Sequence, residues 1–314
     1  MPEIYEPGTL PTQAMAAKAD LEHSRPARPS SQEDRPLTVI VPTHGWRSVD
    51  LREVWRYREL LALLAWRQIT VRYKQTILGA TWAVIQPLMT TGLFAGLFAL
   101  LMGRGNEPTV PGVPYIVSTF CAMLPWQLFG NSVSQAGNSL IMNRPMIQKI
   151  YFPRLILPFS SVLATLVDFA VALVALVVLM LCYGVVPSWA VVTLPLFIAL
   201  AVIASLAVSL WLSALSAVYR DFRYVIPFIV QLGMFASPVV YATASIRDKL
   251  PDWAFILYGL NPMAGVIEGF RWALLGTSDP PGLLLGLSAA MTALILLAAM
   301  YYFRRMERTF ADVI

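Results

Sequence analysis

The stretch WRQITVRYKQTILGATWAVIQP, Trp66 to Pro87, sets three cationic side chains, Arg67, Arg72 and Lys74, directly before a long uncharged run. From Gln75 to Gly103 no residue carries a charge, and that length exceeds the ~20 apolar residues needed to cross a bilayer core of roughly 30 Å. Lys74 therefore marks a membrane edge. Cytoplasmic flanks are the ones enriched in Lys and Arg, so this edge is expected to face the cytoplasm.

Composition points the same way. Of 314 residues, 57% are hydrophobic and 13% charged, and mean hydropathy is +0.64, a combination that soluble domains rarely reach. The net charge of +5 does not make a nucleic-acid face, because the basic residues cluster at the ends of apolar runs instead of along one stripe. The two cysteines, Cys121 and Cys182, sit in separate apolar segments, which excludes a disulfide framework or a CxxC metal site. His23 and His44 both precede the first span, so no histidine-based catalytic or metal site is expected within the membrane.

Upstream of the opening stretch, residues 1–45 carry prolines at 2, 7, 11, 26, 29, 36 and 42 and little apolar content. Such a segment buries too little surface to offset the cost of ordering and reads as a disordered cytoplasmic tail. It also lacks the apolar core of a signal peptide. Residues 46–76 form a second unit. In it Val54, Tyr57, Leu61 and Leu64 recur at spacings of three and four, with Arg52, Arg56, Glu59 and Arg67 opposite. This is an amphipathic helix, expected to lie in the membrane interface with its apolar face against membrane lipids.

Downstream, residues 77–314 form the transmembrane domain. Its uncharged runs give six expected spans, at about 78–102, 116–140, 156–182, 189–217, 224–243 and 283–303. Gly184 and Pro187 supply the turn that splits the charge-free run of residues 169–219. With both termini cytoplasmic, 14 Lys and Arg of residues 50–314 fall inside and four, Arg104, Arg247, Lys249 and Arg271, outside. That asymmetry favours this orientation over its inverse.

Ser237 to Gly276 fits neither a span nor an ordinary loop. Asn261 can cap a helix there, Pro262 suits its first turn and Gly276 can end it. The segment reads as a re-entrant helix dipping into the outer leaflet or as an amphipathic helix on the outer surface. Glu268 and Arg271 stand three apart and can pair on it. The one acid deep in a span is Asp168, either a proton relay or an inter-helix hydrogen bond; because it stands alone, the second is favoured. Each of the four lysines follows Ala17, Tyr73, Gln148 or Asp248, so no Gly-Lys-Ser/Thr phosphate loop exists. The chain has neither a GxSxG elbow nor an HExxH helix. No cofactor is expected in this chain.

Polar uncharged residues say more. Gln127, Asn131, Ser134 and Asn138 are spaced four, three and four, on one face of the second span. Trp82 and Gln86 share a face of the first, as do Phe228, Gln231 and Phe235 of the fifth. Amides and rings lining a path suit a sugar polymer, whose hydroxyls need neutral hydrogen-bond partners and whose apolar faces stack on rings. The same residues can equally join helices and fill cores.

Four runs carry a family resemblance. WRYRELLALLAWRQITVRYKQTILGATWAVIQPL, NRPMIQKIYFPRLILPFSSVLATLVDF, ALSAVYRDFRYVIPFIVQLGMFASPVVY and LNPMAGVIEGFRWALLG, in this order over about 45–280, resemble the ABC-2 type permeases that export O-antigen, capsular polysaccharide and teichoic acid. Gln68 and Thr70 depart from the pattern, standing where relatives often carry an acid and a lysine. The resemblance implies an all-α, polytopic membrane protein of the bacterial inner membrane, working as a homodimer. It implies a separate nucleotide-binding subunit that carries ATP and Mg, and a lipid-linked polysaccharide as cargo. Arg67, Arg72, Tyr73 and Lys74 would belong to the interface and gate helix. The loop with Arg144, Lys149, Tyr151, Phe152 and Arg154, together with Arg220 and Asp221, would contact the ATPase, Tyr151 and Phe152 forming an apolar plug. An ion-coupled flippase, or an ABC-2 exporter of another amphipathic substrate, is the competing reading; the lack of a soluble domain with acidic metal ligands argues against a glycosyltransferase.

Overall fold

A computed structural model describes residues 51–74, 79–102, 112–241, 243, 247, 251–276 and 280–307. The tail expected at 1–45 lies outside the described residues, as do Arg104, Lys249 and Arg308. All described secondary structure is helical. Two cationic helices come first, α1 (Leu51–Arg56) and α2 (Arg58–Lys74). A tight turn at Gly79–Thr81 leads into α3 (Trp82–Met102). Next come α4 (Tyr115–Gly137), the one-turn helices α5 (Ser139–Met142) and α6 (Arg144–Ile147), and α7 (Ile156–Cys182). The chain continues through α8 (Leu194–Val218), α9 (Phe222–Phe235), α10 (Asp252–Gly259), α11 (Ala264–Leu275) and α12 (Gly282–Glu307).

Among the described residues, three stretches are long and apolar enough to cross a bilayer: α7, the run Trp189–Val218 that includes α8, and α12. Apolar portions of α3 and α9 are shorter. Between α7 and α8 the expected turn is present, with Gly184 at φ +68°, a conformation in which a side chain would be strained. The core sits around α4, which packs on α3, α7, α8, α9 and α11. Most of α4 is buried, Val117 to Trp126 without interruption. Shielded on so many sides, it tolerates more polar residues than a lipid-facing helix.

Two expectations are corrected, and one open choice is narrowed. First, the apolar face of α1 and α2 does not turn toward lipid. Val54 and Leu64 are buried, and Tyr57 and Leu61 half-buried, in a cluster with Leu140, Phe152, Ile156, Leu157, Leu210 and Phe303. α2 instead runs in the same direction as α7, with Gln68 beside Ser160 and Arg72 beside Asp168.

Second, the run expected to span 224–243 ends as a helix at Phe235. Side chains from other helices take the backbone carbonyls beyond it. Asn261 Nδ2 donates to Ala236 O at 3.2 Å, Tyr115 to Val240 O at 3.1 Å, and Arg271 to Val239 O and Tyr241 O at 2.8 and 2.9 Å. The 14 residues of α9 rise only ~21 Å, short of a ~30 Å hydrocarbon core.

Third, of the two readings left open for Ser237 to Gly276, the surface helix is the one set aside. α11 packs against α4, α8 and α12, and ten of its residues from Ala264 to Leu275 are buried. Gly265 and Gly269 allow this: a Cβ on Gly265 would lie 2.7 Å from Leu285 Cα, and one on Gly269 2.2 Å from the Phe197 ring. Asn261 Oδ1 accepts from Met263 N at 2.9 Å before α11, and Gly276 ends it at φ +68°. Arg271, 0% exposed, reaches Glu268 at 3.6 Å, and Thr243 donates to that carboxylate at 2.9 Å.

Candidate functional site

The C-terminal end of α2 comes to lie over a cleft of about 250 Å³ between α3, α4 and α7. Its polar lining comprises Arg72, Tyr73, Trp82, Gln86, Gln127, Asn131, Gln135, Thr165 and Asp168. α4 contributes Gln127, Asn131 and Gln135, spaced four apart and therefore stacked on one helical face. α3 contributes Trp82 and Gln86 one turn apart, and α7 contributes Thr165 and Asp168.

At the α2 end a closed set of polar contacts forms. Arg72 donates one terminal nitrogen to Asp168 and the other to Gln135, and the Tyr73 hydroxyl donates to the second Asp168 oxygen. The Arg72 side chain is 30% exposed and that of Asp168 15%. Asp168 thus bonds across helices, the reading its isolation favoured. Burial first, then the hydrogen bond and negative charge of Asp168, push the Tyr73 hydroxyl up to about 12 against the opposing pull of Arg72. It remains a protonated donor at physiological pH. Behind the cleft wall, Ser132 and Thr165 share a hydrogen bond of 2.6 Å.

The amides further along behave differently. Gln86, Gln127 and Asn131 bond no other described residue through their side chains, although Gln127 and Asn131 are half-buried. Within this chain they join no described helix to another. Asn138 turns back on its own helix, donating to Ser134 O at 2.9 Å. Of the four residues expected to share the path, the structure brings Gln127 and Asn131 to the cleft and leaves Ser134 and Asn138 out of its lining. Gln135, which the spacing reading passed over, takes their place; the strict four-residue interval from Gln127 through Asn131 was its signal. Phe228, Gln231 and Phe235 do not line the cleft but lie exposed along α9. The Phe235 ring meets Phe94 of α3 edge-on at 6.2 Å.

At the end of the bundle that holds α1, the loop between α6 and α7 divides its expected contact residues. Arg144, Lys149 and Tyr151 are exposed, Tyr151 at 71%. Phe152, expected to plug a partner surface beside it, is 5% exposed and belongs to the internal cluster with Val54 and Phe303. That expectation is corrected: the aromatic ring fills its own protein. Arg154 is likewise engaged internally, donating to the Glu307 carbonyl at the end of α12. Arg220 and Asp221, in the turn before α9, are exposed. Arg67 donates to Asn143 Oδ1 at 3.0 Å and Gln68 to Ser160 Oγ at 3.2 Å, tying α2 to the junction of α5 and α6 and to α7. Lys74 is exposed. Among the described residues, no group of acidic, histidine and cysteine side chains fit to hold a metal occurs.

The chain is similar to the O-antigen export system permease protein RfbA of Myxococcus xanthus, with 29% identity covering 84% of this chain and 98% of the relative. It is 31% identical to the permease of the same name from Klebsiella pneumoniae, over 68% of this chain and 79% of the relative. A more distant relative is the polysialic acid transport protein KpsM of Escherichia coli, 22% identical over 77% of this chain and 91% of the relative. The ABC-2 type transporter family model matches residues 59–275, from the second residue of α2 to the last of α11 and thus across every helix that forms the cleft, and the chain belongs to that family.

Proposed function

We propose that this chain is the transmembrane permease subunit of an ATP-driven exporter that moves a lipid-linked polysaccharide outward across the bacterial inner membrane. The observation that carries this reading is the cleft, where an exposed tryptophan ring lies among amides that bond no other described residue. Neutral donors and acceptors beside a stacking surface are what a sugar ring requires. The names of the O-antigen permeases among the relatives point to the same class of cargo.

The chain holds no Gly-Lys-Ser/Thr loop, so ATP and Mg belong to a separate nucleotide-binding subunit. That subunit docks on the cytoplasmic end, where Arg144, Lys149, Tyr151, Arg220 and Asp221 are exposed. Phe152 and Arg154 hold the docking loop in shape from within. Arg67, Arg72, Tyr73 and Lys74 belong to the helix that gates the cleft. Six crossings leave both termini cytoplasmic: α3, α4, α7, α8, α12, and α9 together with the turn that follows it. Two copies work together; α9 presents Phe228, Gln231 and Phe235 along an open face, and a second copy facing it completes the route that the cleft begins.

Reconstitution with the ATPase subunit tests this. Asn131→Leu and Trp82→Ala should slow export or shorten the exported polymer while basal ATP hydrolysis and copy-to-copy assembly stay near wild type. Export that proceeds without ATP would replace this reading with an ion-coupled flippase. Unaltered export from both variants, with weakened assembly, would make these side chains helix joints instead of a lining.

A further inference from the structure

Resting on that reading of the cleft, we infer that the cleft is a subsite for an uncharged sugar ring, and that Asp168 acts there as the determinant that rejects acidic sugars. The cleft of about 250 Å³ sets neutral amides and one aromatic ring on its walls, the partners that the hydroxyls and apolar face of a sugar ring require. Among the lining residues Arg72 and Asp168 are the ones of opposite formal charge, and they pair with each other.

That pairing decides what the cleft accepts. A sugar carboxylate or phosphate needs a cation with donors to give, in the paired geometry that makes charge-assisted bonds strong. Each terminal nitrogen of Arg72 makes one hydrogen bond, to Asp168 and to Gln135, and the carboxylate in contact offsets the guanidinium charge. An entering anion would meet an offset cation and would sit beside the Asp168 carboxylate, which Tyr73 also holds, with like charge. Discrimination by an unfavourable contact with the wrong partner is as effective as a favourable one with the right partner. Neutral hydroxyls meet no such obstacle. Gln127 and Asn131 offer both a carbonyl and an NH₂ group, and Trp82, 52% exposed, offers an apolar face. Asp168 therefore acts by holding Arg72 in place and neutral in sum, and its removal should convert a neutral subsite into a cationic one.

The test uses the full-length chain in zwitterionic nanodiscs and saturation-transfer NMR, which reads weak binding. The probes are a neutral dextran oligosaccharide and an oligogalacturonate of matched length. Wild type should saturate the neutral probe at least about fivefold more than the acidic one, with Trp82→Ala removing the neutral signal. Asp168→Asn should raise the acidic signal by at least about fivefold in a salt-sensitive way. The double variant Arg72→Gln with Asp168→Asn, neutral in sum again, should return to the wild-type preference. A merely structural ion pair would make the single and double variants behave alike, and that result overturns the proposal. Equal binding of both probes by wild type overturns it without any variant, leaving the lining role of the amides standing. Failure of wild type to bind either probe removes both this proposal and the lining role on which it rests.

Discussion

Replacing Phe152 and Tyr151 separately by alanine should give opposite failures, although the two aromatic residues are neighbours in sequence. Phe152 is 5% exposed and sits among Val54, Leu140, Leu157 and Phe303. Deleting its ring leaves a cavity where α1, α2, α5, α7 and α12 meet, which costs about 3–5 kcal/mol for a well-buried phenylalanine. At about 2–4 °C per kcal/mol for a chain of this size, the midpoint of thermal unfolding should fall by of order 10 °C. Tyr151 is 71% exposed, and truncating a surface side chain changes stability by no more than about 0.5 kcal/mol. Phe152→Ala should therefore lower the melting midpoint of the purified permease and its yield in the membrane. Tyr151→Ala should melt like wild type yet lose polymer export and transport-stimulated ATP hydrolysis in the reconstituted complex. Following melting by fluorescence-detected size exclusion, and ATP hydrolysis and export on the same preparations, separates the two. Matching melting midpoints for wild type and Phe152→Ala would refute the internal role assigned to the ring, and full export by Tyr151→Ala would refute the docking role of the exposed one.

Two further outcomes are expected. Gly269→Ala places a methyl group 2.2 Å from Phe197, itself only 2% exposed and unable to move aside; it should cost about 1–3 kcal/mol, whereas Gly286→Ala, with nothing within 4 Å, should melt near wild type, and equal midpoints for the two would discredit the close approach of α11 to α8. With Cys121 and Cys182 replaced, single cysteines at Gln148 or Arg305 should react with an impermeant thiol reagent from the cytoplasmic side alone and one at Asp252 from outside alone; reversed labelling at any two of these positions would invert the topology.

Some of this was legible in the residues and some was not, for definable reasons. α7 occupies Ile156–Cys182 as expected, because its ends are marked by local signals, Pro153 and Arg154 before it and Gly184 after it. Gly276 closing α11 is equally local. The face of Gln127 and Asn131 follows from helical period alone. Periodicity reports that a face differs from its neighbours without saying what covers it. Lipid tails are as apolar as leucine, so Val54, Tyr57, Leu61 and Leu64 present the same pattern whether they meet a bilayer or the cluster around Phe303. The same ambiguity hid the burial of Phe152. α9 escaped for another reason: Pro238, a local stop signal three residues past Phe235, was passed over, and the side chains that capture the following carbonyls come from Tyr115, Asn261 and Arg271. Contacts so distant in sequence leave no local trace.

One helix touches both ends of the proposed machine. The N-terminal half of α2 carries Leu61 and Leu64 into the cluster that holds Phe152, and its C-terminal end delivers Arg72 and Tyr73 to the cleft. Seventeen residues make a rod of ~25 Å. Rigid displacement of the docking loop must therefore do one of two things. Either α2 moves with the loop, carried by Phe152 and by the Arg67–Asn143 bond, and the Arg72–Asp168 contact breaks, or α2 stays on α7 and the Phe152 cluster parts. The cluster is apolar and extended, so parting it exposes many side chains at once. The Arg72–Asp168 contact, with its bonds to Gln135 and Tyr73, is a set of only three polar contacts around one partly exposed pair, and parting it uncovers far fewer side chains. The weaker joint is the one at the cleft. A stroke arriving at the loop should consequently be felt where the sugar would sit, and the residue that closes the cleft at rest is the one placed to open it.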